Sequence, residues 1–118
     1  MAEKDILGRS GEQLAARFLE DGGYRIVDRN WRGVRGELDI VAERDGTTVF
    51  VEVKTRSGPA FGHPFEAVTP KKIRALRRLA GEWCAANLAA RPRVRLDVIA
   101  VIGGFDAPAR IEHLRGIG

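Results

Sequence analysis

Two short segments joined by Asp45-Gly46 constrain this chain more than any other feature. Residues Glu37 to Glu43 and Thr47 to Lys54 each alternate apolar and polar side chains, the period of a half-buried strand. Asp-Gly between two such segments suits a two-residue hairpin turn, because both central positions of that turn need a positive φ. Such a turn sets Arg44 opposite Thr47, and by continuation Asp39 opposite Glu52 and Glu37 opposite Lys54. Alternation then gathers Glu37, Asp39, Glu52 and Lys54 on one face. Leu38, Ile40, Ala42, Val49, Val51 and Val53 fall on the other, as a core surface.

Opposed residues in such a pair have Cβ atoms roughly 4.5–5.5 Å apart, so Asp39 and Glu52 repel each other. Two readings of the face stand. One is a solvated surface with a Glu37–Lys54 ion pair. The other is a carboxylate pair that holds a divalent cation, since Mg²⁺ takes carboxylate oxygens at about 2.0–2.1 Å. Two features favour the cation. A merely soluble face would pair opposite signs where Asp39 meets Glu52. The same face also carries Val41 opposite Phe50, so the acids are half-buried and need partners. Both features depend on a turn of two residues.

Around the hairpin the pattern predicts an α/β chain in the order α-β-β-β-α-β with a further short strand, a mixed sheet flanked by helices. A helix over residues 6–21 buries Leu7, Leu14, Ala15, Phe18 and Leu19, and ends at Gly22-Gly23. Glu12 lies at the edge of that stripe and by spacing alone reads as a boundary acid. A strand follows from Tyr24. Residues 55–68, rich in Gly and Pro, read as a loop. Thr69-Pro70 opens a second helix, Thr as N-cap and Pro at the first helical position, running to Leu88. Its buried stripe is Ile73, Leu76, Ala80, Trp83 and Cys84. Val94 to Ile102 reads as a central strand and Arg110 to Leu114 as a short edge strand.

With 118 residues and a single cysteine, the chain suits one domain spanning residues 1–118, without a disulfide or a cysteine-cluster zinc site. No apolar run approaches the roughly 20 residues of a membrane span, and Met1 to Asp5 lacks the pattern of a secretory signal. A cytoplasmic protein without a membrane partner is the expectation. The net charge of +4 is unevenly spread. Lys71, Lys72, Arg74, Arg77 and Arg78 crowd the start of the second helix, with no acid from Ala67 to Gly81. Cations there oppose the helix dipole, an arrangement that makes sense if an anion docks. A solvated basic face is the alternative. Lys71, Arg74 and Arg78 lie opposite the apolar stripe and Lys72 toward the sheet. Arg29, Arg32 and Arg35 form a second basic stretch, beside a Trp31 that either stacks on a base or caps the core. Arg56 stands at the base of the loop. His63 reads as an ordinary loop residue without an orienting partner, His113 as an edge residue and Cys84 as core.

Asp39, a gap, then Glu52-Val53-Lys54 resembles the D…E-x-K signature of the restriction-endonuclease-like nucleases, whose core has the same α-β-β-β-α-β order. The wider set is sharper. Gly11-Glu12, Asn30-Trp31-Arg32, Gly36 to Ile40, Phe50 to Lys54 with Arg56, Phe61-Gly62, Glu66-Ala67-Val68, Lys71 and Arg95-x-Asp97-Val98 together resemble the YraN family of small bacterial proteins, likened to Holliday-junction resolvases. One departure is Leu38, where the nuclease superfamily often has Pro. The resemblance implies Asp39, Glu52 and Lys54 as catalytic residues. Mg²⁺ or Mn²⁺ would sit on Asp39 and Glu52, with the Val53 carbonyl and Glu12 as further ligands and Glu37 in support. It also implies nucleic acid, DNA favoured, as partner, and a resolvase-like role would imply a homodimer. Arg32, Arg35, Arg56, Lys71, Lys72, Arg74 and Arg78 are the expected nucleic-acid contacts. The leading expectation is a metal-dependent endonuclease acting on DNA, with branched DNA as one substrate. The rivals are a non-catalytic nucleic-acid-binding module of the same fold and a protein-interaction domain whose charged hairpin is structural.

Overall fold

A computed structural model describes residues 3–56, 62–87, 93–103 and 108–118, with side chains from residue 10 onward. Helix α1 (Glu3–Asp21) leads into three antiparallel strands, β1 (Arg25–Arg32), β2 (Glu37–Arg44) and β3 (Thr47–Arg56). A single 3₁₀ turn (Pro64–Ala67) precedes α2 (Pro70–Ala86), then β4 (Arg93–Ile102) and β5 (Arg110–Leu114). The five strands lie in sequence order. β3 and β4 are parallel and the other neighbours antiparallel. α2 is therefore the crossover that a parallel pair requires. No helix among the described residues is long and apolar enough to cross a membrane.

Each helix covers one face of the sheet. α1 sets Ala15, Ala16 and Leu19 on Ile40, Ala42, Val49, Val51, Ile99 and Val101. α2 sets Leu76, Leu79, Ala80 and Trp83 on Val41, Phe50 and Leu96. Burial of a large apolar side chain contributes roughly 1.5–3 kcal/mol, so these two layers dominate stability. Phe50, fully buried, meets Trp83 edge-on with ring centroids 5.6 Å apart. α1 ends where Gly23 N–H donates to Glu20 and Tyr24 N–H to Leu19, the paired bonds of a Schellman cap, with Tyr24 and Leu19 packed in one cluster. Thr69 caps α2 by accepting the Lys72 N–H at 3.2 Å, with Pro70 at the first turn.

The hairpin register is the expected one. Arg44 pairs with Thr47 and Ile40 with Val51, around Asp45 at φ 51° and Gly46 at φ 79°. Past Ile40–Val51 the ladder stops, and strict alternation stops with it. Leu38 packs under α2 with Val41 and Phe50, not with Ile40 on the α1 face. The expected Glu37–Lys54 cross-strand pair does not form. Glu37 stays with β1, opposite Arg32, and Lys54 turns to Glu52. β2 follows β1 at this end while β3 follows β4, so the two strands part where the acids lie.

Other boundaries also shift. Phe18 is exposed and sits edge-on to His113. Leu79 joins the buried stripe of α2, whose described end is Ala86, and Ile73 and Cys84 are only partly buried. The side chain of Leu7, the loop centre 57–61 and Leu88 lie outside the described residues.

The turn is open to a direct test. Nothing lies within 4 Å of a Cβ added at Gly46, so Gly46→Ala costs only the backbone penalty of positive φ. Urea denaturation should show a loss of about 1–2 kcal/mol with an unchanged m-value.

Candidate functional site

The parting of β2 and β3 frees Asp39 from the ladder, and its carboxylate does what a ladder carbonyl would have done. Asp39 Oδ2 accepts the Val53 N–H at 2.8 Å. Glu52, 5% exposed, points from β3 to the α2 face, where its Oε2 pairs with two ammonium groups. Lys54 Nζ and Lys72 Nζ each stand 3.1 Å from that one oxygen. Lys72 arrives from the first turn of α2, as its position toward the sheet predicted. Burial, and the Glu52 carboxylate beside it, push the Asp39 pKa up to about 7, against the opposing pull of the Val53 N–H.

Glu12 comes from the other helix. Gly11 is buried, and a Cβ there would collide with the side chain of Thr55. That close approach seats this turn of α1 on β3 and brings Glu12 to the same end of the sheet as the acids. The hydrogen-bonding environment assigns the Asn30 amide nitrogen to two of them, donating to Glu12 at 2.8 Å and Glu37 at 3.2 Å. Asn30 manages this at φ 52°, a conformation that Asn tolerates better than most residues. Burial, then the charge of Glu37, raise the Glu12 pKa. Glu12, Glu37, Asp39 and Glu52 thus form one electrostatically linked group that runs round the end of β2 and β3.

The donor set is entirely carboxylate oxygen, which suits a hard cation such as Mg²⁺ or Mn²⁺. A carboxyl whose pKa is raised by a neighbouring carboxylate is also a position that gains from a divalent charge. The residues therefore fit such an ion, with Asp39 and Glu52 as the pair that would hold it. Among the described residues, no three His, Cys, Asp or Glu side chains are gathered closely enough to enclose a metal. Glu12 stands further out than the Asp39–Glu52 pair.

The basic residues divide by position. Lys71, Arg74 and Arg78 are exposed along the outer side of α2, and Arg32 and Arg35 are exposed beside the start of β2. Arg56 is half-buried and donates to the Thr55 carbonyl at 2.9 Å. Trp31, half-buried, packs with the α2-side core.

His113 lies on the edge strand β5, as expected, whereas His63 differs from expectation and has an orienting partner. Its Nδ1 accepts the Phe65 N–H, so Nε2 carries the proton and meets Glu112 Oε1 at 3.0 Å. The bond to His63 holds Glu112 below the usual carboxylate range. The partner is 49 positions away in sequence, on β5, where local reading cannot find it. His113 is not a bare edge residue. Its Nε2 lies 2.7 Å from Asp97 Oδ2, in a network where Arg95 and the Gly116 N–H also bond to Asp97.

A five-stranded mixed sheet flanked by two helices, with Asp, Glu and Lys at one end of two adjoining strands, is compatible with a restriction-endonuclease-like core. The comparisons reach further. The chain belongs to the YraN family, matching the model described as Uncharacterised protein family UPF0102 over residues 11–101. It is similar to the UPF0102 protein of Beutenbergia cavernae, 54% identical over the whole of both chains. It is similar also to that of Arthrobacter sp., 52% identical over the whole of both, and to that of Paenarthrobacter aurescens, 53% identical over 99% of this chain and 97% of the relative.

The raised pKa of Asp39 has a stability consequence. Folded Asp39 keeps its proton to about pH 7, whereas the unfolded residue loses it near 4. Between those values the folded state binds more protons, so this group makes stability fall as pH rises. Asp39→Asn removes that dependence. Urea denaturation at pH 5 and pH 8 should show the variant gaining on wild type by about 1–3 kcal/mol at the higher pH. An equal difference at both pH values would contradict the assignment.

Proposed function

We propose that this protein is a divalent-metal-dependent endonuclease that hydrolyses phosphodiester bonds in DNA, branched DNA among its substrates. The observation that carries the reading is the juxtaposition at the end of β3. A carboxyl held up to about 7 by burial and a second carboxylate adjoins a glutamate bridged to Lys54 and Lys72, beside the basic start of α2. Functional sites are where desolvation and charge partners shift pKa values in this way.

Asp39 and Glu52, with the Val53 carbonyl and Glu12, would hold Mg²⁺ or Mn²⁺, which would supply Lewis acidity at the phosphate and a water of lowered pKa. The remaining work belongs to the chain itself. Glu52 keeps Lys54 directed into the site, where its ammonium orients the attacking water and stabilises developing negative charge. Asn30 holds Glu12 in place by bridging it to Glu37. Lys71, Arg74 and Arg78 follow the strand's phosphates along α2, and Arg32, Arg35 and Arg56 add further phosphate contacts. A resolvase-like action would employ two copies related by a two-fold axis, and a cytoplasmic location accompanies this reading.

One observation favours a second reading, a nucleic-acid-binding module without catalysis. Among the described residues no three metal-ligating side chains are already gathered. Cleavage separates the two. Linear, flapped and four-way DNA incubated with Mg²⁺ or Mn²⁺ should be cut by the wild type, and Glu52→Gln and Lys54→Ala should each slow cutting by about 100-fold or more. DNA binding without any cutting would establish the module reading. Cutting unaffected by either substitution would expose a contaminant.

A further inference from the structure

Lys54 Nζ and Lys72 Nζ both form ion pairs with Glu52 Oε2 at 3.1 Å, and Glu52 is only 5% exposed. That arrangement balances a buried charge, but it also occupies the oxygen that a metal would use. A carboxylate oxygen with two ammonium groups on it has little room for a third cation. The charge count sharpens the conflict. A divalent ion on Asp39 and Glu52 cancels both acids and leaves two lysines uncompensated in a largely enclosed site, where surplus charge is costly.

The two lysines are not equally able to leave. Lys54 belongs to β3, inside the sheet, with its side chain 24% exposed. Lys72 hangs from the first turn of α2 with its side chain 38% exposed. The exposed bases Lys71 and Arg74 stand on the same turn of helix. A phosphate drawn to that turn lies within the swing of a lysine's four-carbon stem.

We propose that Lys72 is a displaceable counter-ion, bound to Glu52 in the cation-free protein and transferred to a substrate phosphate when a divalent cation takes Glu52. It rests on the reading of Asp39 and Glu52 as cation ligands. Lys72 thereby couples the two binding events. Cation binding frees a phosphate contact, and by reciprocity nucleic acid strengthens cation binding by the same factor. The role is positional rather than catalytic, since Lys72 sets when the strand is gripped.

The test measures binding, with Mn²⁺ as the probe and a fluorescent four-way DNA whose phosphorothioate linkages resist hydrolysis, checked intact on a gel after each reading. Calorimetry should show Lys72→Met binding Mn²⁺ about five- to tenfold more tightly than wild type, because a competing cation is gone. Anisotropy over a salt series should show the wild-type slope of log affinity against log salt steepening by about one phosphate contact when Mn²⁺ is added. In Lys72→Met that step should vanish, with the Mn²⁺-free slope unchanged. Lys72→Arg, which keeps the charge, should restore the step, and circular dichroism checks that both variants fold. If wild type binds no Mn²⁺, the cation-site reading fails and this inference falls with it. If wild type binds Mn²⁺ but Lys72→Met keeps the same Mn²⁺ affinity and the same slope change, displacement alone is overturned.

Discussion

A carboxylate taken out of water must be answered by charge or hydrogen bonds, and the placement of Glu52 makes that requirement govern one end of this fold. Glu52 sits on the face that α2 covers, one alternation along β3 from the fully buried Phe50. Its compensation comes from two directions at once, Lys54 on its own strand and Lys72 on the helix that crosses over from β3 to β4. The ion pairs therefore tie the start of α2 to the sheet at the point where the β2–β3 ladder has already ended. Asp39 lies just beyond that end with one backbone N–H for a partner, and is left short of positive charge.

Asp97 faces the same problem on the other side of the sheet and is answered differently. Burial would raise its pKa, but His113, Arg95 and the Gly116 N–H together hold it below the ordinary range. Arg95 forks onto both carboxylate oxygens and also reaches the Tyr24 hydroxyl at 2.7 Å. This network joins the end of the first helix, the central strand, the edge strand and the tail. The Ile117 N–H then donates to Leu96, carrying the tail across to the α2 side. A fully satisfied carboxylate of this kind serves structure. The carboxyl of Asp39 is left under-compensated, and this contrast in charge partners distinguishes the two acidic centres more firmly than residue type does.

Much of this was legible in the residues. The Asp45-Gly46 turn, the strand starts around it, the Thr69-Pro70 helix start and a mixed sheet flanked by helices all follow from local chemistry: positive φ at a primed turn, a side-chain oxygen for an orphan N–H, and the order of the elements. Asp39, Glu52 and Lys54 could be grouped from the alternation expected across a two-residue turn, although the ladder itself ends at Ile40–Val51, short of them. Less legible was the break past Ile40–Val51, where β2 keeps to β1 and Leu38 changes faces. That choice is a competition between two ladders, and no local signal in either strand reports its outcome. The bond from the Asn30 amide to Glu12, and the pairs His63–Glu112 and His113–Asp97, were also out of reach, because each joins groups 16 or more positions apart in sequence.

By itself, then, the amino-acid sequence determined the elements, their order, the hairpin register and the family, because turn geometry, capping and hydrophobic period act over a few residues. The tertiary structure alone decided which charges meet. Gly11 lets α1 approach Thr55 and so delivers Glu12, while α2 delivers Lys72 to Glu52. Burial then sets the pKa of Asp39. Electrostatic energy depends on distance and on the exclusion of water, and both come into being only when the helices close over the two faces of the sheet.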